Sequence, residues 1–306
     1  MIRAHRIGDA PIIDQGMCES LGDNINGPSV VARPDWAPGE GRFLLYFSHH
    51  KGTHIRLATA DRMEGPWAVH RPGVLPLSAT PLAQTRPDLP QPAWAQAAGQ
   101  DGLYPHLASP DVWLDEEARL FRMLFHGLAG HGEQVSYAAT SRDGLKWQVE
   151  GAEIPLIYLR RFVHEGQVYA MGHGGQLSRQ REDGGFEPGP FPLAGKVRHV
   201  AVLQREDRLH VLFTRIGDCP ERILHTELDL SRAWPDWRVC VEETEVLRPN
   251  LAWEGTGAPL TPSEAGAVDY AHQLRDPELI EADGDLWLVY AGGGEAALGL
   301  ARLSGI

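Results

Sequence analysis

The 306-residue chain carries 28 Lys and Arg against 41 Asp and Glu, a formal charge of −13, and 42% of its residues are hydrophobic. That charge argues against nucleic acid or an anionic membrane as the main partner, and 34 Gly with 23 Pro suit many short strands joined by tight turns. No apolar run reaches the ~18 residues of a membrane helix, and the first residues hold no apolar core of signal-peptide length, so the expectation is a soluble, cytoplasmic protein.

Three cysteines, Cys18, Cys219 and Cys240, are too few and too scattered for a disulfide framework or a zinc knuckle and read as free thiols.

Taken in chain order, one cassette recurs: a short polar motif, a buried strand, a charged turn and a second, aromatic strand. It first appears as Asn26-Gly27-Pro28-Ser29 running into Val-Val-Ala, followed by an aromatic strand over 42–48. The alternating segment 54–60 predicts a third strand, and Gly65-Pro66-Trp67 turns the chain into a fourth. A Pro-rich stretch over 76–105 predicts a long ordered loop with a helical turn near Trp94, placed at the rim of a pocket. The cassette returns as Ser109-Pro110-Asp111-Val112-Trp113 with 119–126, then 134–140 and the tight turn at Asp143-Gly144 before Trp147.

A shorter, Gly-rich version opens at Arg161. A fourth opens at Arg198-His199 and continues over 208–214, with an insertion from Gly217. The fifth opens at Arg275-Asp276-Pro277-Glu278, passes through Asp283-Gly284 to an aromatic strand over 286–291, and ends three strands in. The missing strand is assigned to the N-terminal segment near Pro11-Ile12-Ile13-Asp14.

A unit of this kind cannot bury both of its faces alone, so units must stack, and the radial solution is a propeller. The predicted fold is all-β, a single five-bladed β-propeller over residues 1–306, with the N-terminal segment closing the last blade and removing exposed sheet edges. The first strand of each blade then lines one axial pocket, and the polar residues that open the cassettes gather there.

Asp111 and Asp276, on different blades, are the acid–base candidates, since two carboxyls across a pocket can divide the labour of glycoside hydrolysis. His199, beside Arg198, is a candidate proton donor. Asn26, His50, His106, His126, Arg161, Arg198 and Arg275 are candidates to hold substrate, and Glu254, after Trp253 on a Gly-rich loop, adds a polar contact beside a stacking ring. No cofactor is expected and no metal motif is present. A divalent metal at the axis, held by His50, His106, His126 and His199 from separate blades, is the alternative left open.

The motifs Ser109-Pro110-Asp111-Val112-Trp113, Ala60-Asp61-Arg62-Met63-Glu64-Gly65-Pro66-Trp67, Ser141-Arg142-Asp143-Gly144-Leu145-Lys146-Trp147 and Arg275-Asp276-Pro277-Glu278 resemble those of the five-bladed propeller glycosidases. They are similar to glycoside hydrolase family 43 and its relatives in families 32, 62, 68, 117 and 130. In family 43 a first-blade Asp acts as base, a second-blade Asp tunes and orients, and a later Glu is the acid. By motif the second role falls on Asp111. The first meets Asn26-Gly27-Pro28, without a carboxylate, and at the acid's place stand Arg161 and His199. A His acid is implicated in family 117, which supports His199, and Asp276 is the candidate to replace the base.

The resemblance implies a glycoside hydrolase acting on an oligosaccharide or smaller sugar, by inversion. Two alternatives stay open: a lyase on a uronic-acid sugar using Arg and His with an axial metal, and a non-catalytic sugar-binding propeller. Neither nucleic acid nor membrane is an expected partner, and the sequence carries no signal for oligomeric state.

Overall fold

The computed structural model describes residues 2–49, 52–234, 236–266, 268 and 270–306. After β1 (Arg3–Arg6) and β2 (Ile13–Asp14), the chain builds blade 1 from β3 (Asn26–Ala32), β4 (Phe43–Ser48), β5 (His54–Ala60) and β6 (Ala68–Pro76). The Pro-rich loop follows, with the single-turn helix α1 (Ala93–Ala98). Blade 2 is β7 (Leu107–Asp115), β8 (Leu120–Leu128), β9 (Gln134–Ser141) and β10 (Gln148–Ile154).

Blade 3 is shorter: β11 (Arg160–His164), β12 (Gln167–Met171), β13 (Leu177–Gln180) and β14 (Phe186–Pro188). Blade 4 is β15 (Val197–Arg205), β16 (Arg208–Arg215), β17 (Ile223–Asp229) and β18 (Arg238–Leu247). Blade 5 has β19 (Leu274–Ala282), β20 (Asp285–Gly292) and β21 (Ala297–Ser304), and every blade is antiparallel in sequence order. The outer position of blade 5 is filled from the N-terminus. Arg3–Arg6 pairs with β21 from Ser304 to Ala301, and Ile13 adds a second pairing opposite Leu298. The closing strand is thus Arg3–Arg6, ahead of the segment that the sequence pointed to, and the two termini lock one sheet.

Turn chemistry explains the hairpins. Blades 3 and 5 join their first two strands by two-residue turns, Glu165-Gly166 and Asp283-Gly284, with φ positive at both residues. These are the turns that match the twist of paired strands.

The core lies between blades. Blades 1 and 2 share the largest buried set, including Leu44, Tyr46, Leu57, Phe121 and Phe125. Blades 5 and 1 share Phe43, Phe47, Trp287 and Leu298, and blades 3 and 4 share Phe162, Tyr169, Leu209, Phe213 and Trp237. The seam between blades 2 and 3 is the thinnest, with Leu124, Ile154, Leu159, Ala170 and Phe186. It opens outward into a groove of about 890 Å³, as the shortness of β13 and β14 dictates.

The five first strands surround the axis, and four of them carry the same irregularity. Pairing skips between Asn26 and Ser29, Ala108 and Asp111, Val197 and Val200, and Arg275 and Glu278. The extra residues re-aim side chains at the mouth of the ring, the usual work of a bulge. In the three Pro-containing copies the residue before Pro has positive φ: Gly27 at 55°, Ser109 at 44° and Asp276 at 46°. The motifs therefore superpose as levels, with Gly27, Ser109 and Asp276 at the mouth and Ser29, Asp111 and Glu278 deeper along the axis.

Candidate active site

At the mouth of the ring lies a cavity of about 320 Å³ lined by Trp94, Tyr104, Gln134, Ile157, Tyr158, His173, Arg198, His199, Ile216, Ala265, Gly266 and Glu295. The Pro-rich loop supplies Trp94, 41% exposed, and Tyr104. A half-exposed indole beside buried polar groups suits the apolar face of a sugar ring.

The polar floor is built by four blades. His199 Nδ1 lies 2.5 Å from Asp276 Oδ1, and both side chains are almost completely buried. Asp276 Oδ1 fixes one imidazole nitrogen and leaves Nε2 as the His199 atom available for proton transfer. The ring of Tyr158 sits 4.7 Å from that of His199, 4.1 Å from His126 and 5.7 Å from His173. Burial raises the Tyr158 hydroxyl well above the ordinary tyrosine value, so it is uncharged at neutral pH.

Glu295 is held from two sides. Arg275 Nη1 donates to Oε1 at 2.9 Å, and the amides of Asn24 and Asn26 donate to Oε2 at 2.8 and 2.9 Å. Ser48 Oγ donates to Asn26 Oδ1, which fixes the orientation of that amide. Arg198 donates through Nε and Nη2 to the two oxygens of Glu221 at 2.8 and 3.0 Å. Burial alone would push the Glu221 carboxyl up, but Arg198 and Arg275 outweigh it and hold it below the usual range. Arg275, fully buried, also donates to Gln273 and to the Gly266 carbonyl. Its guanidinium is thereby consumed in holding the floor and is not presented to a ligand.

His106 and His126 continue the array inward. His106 Nδ1 donates to the Tyr104 carbonyl at 2.9 Å, and the two imidazoles stand 6.1 Å apart, edge to face. Among the described residues the axial histidines do not bring three donor atoms together. His50 lies outside the described residues.

Asp111 faces a different space. With Arg160, Arg161 and Glu278 it lines a cavity of about 150 Å³ deeper along the axis, among residues two or more positions further along the first strands. Asp111 Oδ2 accepts from the Arg161 backbone N–H at 3.0 Å, and Arg160 Nη1 stands 3.5 Å from Asp111 and 3.6 Å from Glu278. Arg160 also donates to the Pro110 and Pro28 carbonyls and ties three blades together. Burial raises the carboxyls of both Asp111 and Glu278, the latter to about 7. The two carboxylates picked from the sequence therefore stand at different levels, because Asp111 follows its Pro whereas Asp276 precedes one.

Two further expectations are corrected. Glu254 is fully buried at the edge of blade 5, where it accepts from Arg6, Tyr290 and the backbone of Asn250 and Leu251. The preceding Trp253 stacks on Tyr290 and packs over Gly292 and Gly299. Both are structural because that loop folds back on its own sheet. Arg161 lies over the Trp113 ring, at 5.0 Å, and lines the deep cavity and not the mouth.

The place of the missing first-blade carboxylate also has a physical reason. A Cβ at Gly27 would stand 2.7 Å from Ser109 Cα, so the backbone of blade 2 leaves no room for a side chain there. Sequence reasoning placed the loop of Trp94 and Tyr104 at a pocket rim without singling out either side chain, and it missed Tyr158, His173 and Glu221. Tyr158 carried a signal, since it stands two residues before the first strand of blade 3, where the other blades open with polar motifs. Trp94, Tyr104 and His173 sit on loops, and Glu221 on the blade 4 insertion, where no periodicity points inward.

The uncharacterized protein R118 of Acanthamoeba polyphaga mimivirus is 32% identical over 308 residues, spanning 92% of this chain and 83% of the viral one. No family model matches the sequence. Among solved structures, the α-L-arabinofuranosidase of Lactobacillus brevis superposes with a TM-score of 0.62 at 12% identity, covering 95% of this chain and 91% of the other. The family 43 enzyme of Xanthomonas citri in complex with xylose gives 0.61 at 12% identity, with 96% and 90% covered. The solved structures share the five-bladed propeller fold with this chain, and the chain belongs to one family with mimivirus protein R118.

Proposed function

We propose that the protein is a glycoside hydrolase whose reaction takes place in the 320 Å³ mouth cavity. The observation that carries this reading is the contact between His199 Nδ1 and Asp276 Oδ1 at 2.5 Å, on a wall shared with Glu295 and an exposed Trp94. In this reading His199, protonated, gives its Nε2 proton to the glycosidic oxygen as the C–O bond breaks, and Asp276 orients the ring and offsets its charge. Glu295 takes a proton from the water that attacks the anomeric carbon from the opposite face. His199 then recovers a proton from solvent, and Glu295 releases one. Tyr158 and Arg198 position the sugar, and Trp94 stacks on it. The fold neighbours that act on arabinose- and xylose-containing substrates support a pentoside as the first class to test.

The test is turnover of arabinofuranosides, xylosides and their oligosaccharides, with stereochemistry read by NMR. His199→Gln and Asp276→Asn should each lower kcat by about 10²–10⁴, the usual share of a positioned acid–base group, with KM little changed. Wild-type kcat in either variant on a competent substrate refutes the assignment. The crowding of Tyr158 by His126, His173 and His199, beside Arg198, favours a second reading, elimination from a uronic-acid sugar. It predicts an ultraviolet-absorbing unsaturated product in place of an added water. Sugar binding with no turnover on any substrate would leave the non-catalytic alternative.

A further inference from the structure

Blade 4 carries a second cluster of donor side chains, away from the axial cavity. His210 on β16 and Glu227 on β17 are direct cross-strand partners, and His225 lies two residues before Glu227 on the same strand. With period-2 alternation all three project from one face of the sheet. Leu212 and Ile223, on that same face, pack into the core shared with blade 5, which places the cluster at the seam between blades 4 and 5.

The geometry is that of a coordination site. His210 Nδ1 stands 3.2 Å from His225 Nε2 and 3.6 Å from Glu227 Oε1, and one donor atom from each of the three residues lies within 4.8 Å of the others. Zinc–ligand bonds of about 2.0–2.1 Å at tetrahedral angles place donors about 3.4 Å apart. Two of the three donor pairs already stand near that spacing.

We propose that His210, His225 and Glu227 form a binding site for a divalent transition metal, with zinc the metal that two imidazoles and one carboxylate favour. Among the described residues, Arg205 pairs with Glu281 and Arg208 turns to Cys240. His210 and Glu227 are partly exposed, so the fourth position opens toward solvent and takes water. The site lies on the second and third strands of the blade, distinct from the first strands that line the axis.

The probe is Co²⁺ added to protein stripped with EDTA, read by the visible absorption of tetrahedral cobalt and followed by displacement with Zn²⁺. One equivalent per chain is expected. His225→Ala and the more conservative Glu227→Gln should each weaken Co²⁺ binding by about a hundredfold, and circular dichroism verifies that each variant is folded. His126→Ala, at the axis, should titrate like the wild type. The proposal is overturned if the wild type and Glu227→Gln titrate alike, or if His126→Ala loses the signal that His225→Ala retains.

Discussion

The Glu254 carboxylate gives the sharpest stability prediction, because a substrate-binding role and a structural one lead to opposite results. Five hydrogen bonds converge on it: Arg6 Nε and Nη2 at 2.7 and 2.8 Å, Tyr290 Oη at 2.9 Å, and the N–H groups of Asn250 and Leu251 at 2.6 and 3.0 Å. Every partner is a donor, so the NH₂ of a glutamine must face at least two donors whichever way it turns. Glu254→Gln therefore removes two or three bonds to a charged acceptor, each worth about 1.5–3 kcal/mol, and leaves Arg6 with a neutral partner. Breaking a buried pair from one side costs about 3–5 kcal/mol. For a chain of this size each kcal/mol is worth about 2 °C, so Tm should fall by about 6–10 °C.

The assay is thermal unfolding followed by circular dichroism, with Arg6→Ala and the double variant completing a cycle. A coupling above about 1 kcal/mol is expected for groups in direct contact. A Tm within 2 °C of wild type in Glu254→Gln would refute the clasp and return Glu254 to a ligand-binding role. The clasp also explains why blade 5 closes where it does, since it anchors the last residue of β1 to the loop before β19.

Glu278 makes stability depend on pH in a predictable direction. Its carboxyl is raised to about 7 by burial, against Arg160. A raised acid binds its proton more tightly in the folded state, so its contribution is complete below the unfolded value near 4.5 and is lost as pH rises through about 7. The urea midpoint of the wild type should therefore fall between pH 5 and pH 8, and Glu278→Gln should flatten that fall. A wild-type profile as flat as the variant's would contradict it. Gly255 has φ of +89°, and a Cβ there would meet the Ala271 carbonyl oxygen at 1.9 Å. Gly255→Ala should destabilise by more than about 1 kcal/mol, read from chemical unfolding, and an unchanged midpoint would count against the described loop packing.

Much of the architecture was legible in the sequence because it rests on local, repeated chemistry. The Pro-containing motifs at Asn26, Ser109 and Arg275, the Asp283-Gly284 turn and the alternating strands each declare their element within a few residues. Repetition then leaves a ring as the way to bury both faces of every unit. The site was only partly legible. Asp276, His199, Arg198, His106 and His126 do stand around or beneath the mouth, since they open cassettes or end second strands. Asp111 and Asp276 pair in the sequence as carboxylates opening first strands of different blades, but one follows its proline and the other precedes one, and the sequence does not express which side of the proline faces the mouth.

Other parts depend on contacts between remote segments, and only the tertiary structure decides them. Glu254 looked like a loop residue until Arg6, 248 positions away, closed on it. Trp94 and Tyr104 lie in a stretch without periodicity, and their place in the cavity follows from how the loop is laid across the ring. Gly27 has no carboxylate because the Ser109 backbone occupies the space a side chain would need. The sequence by itself determined the units and their stacking, through alternation and turn residues. The tertiary structure decided the level at which each side chain meets the axis, because bulges and inter-blade packing set that height.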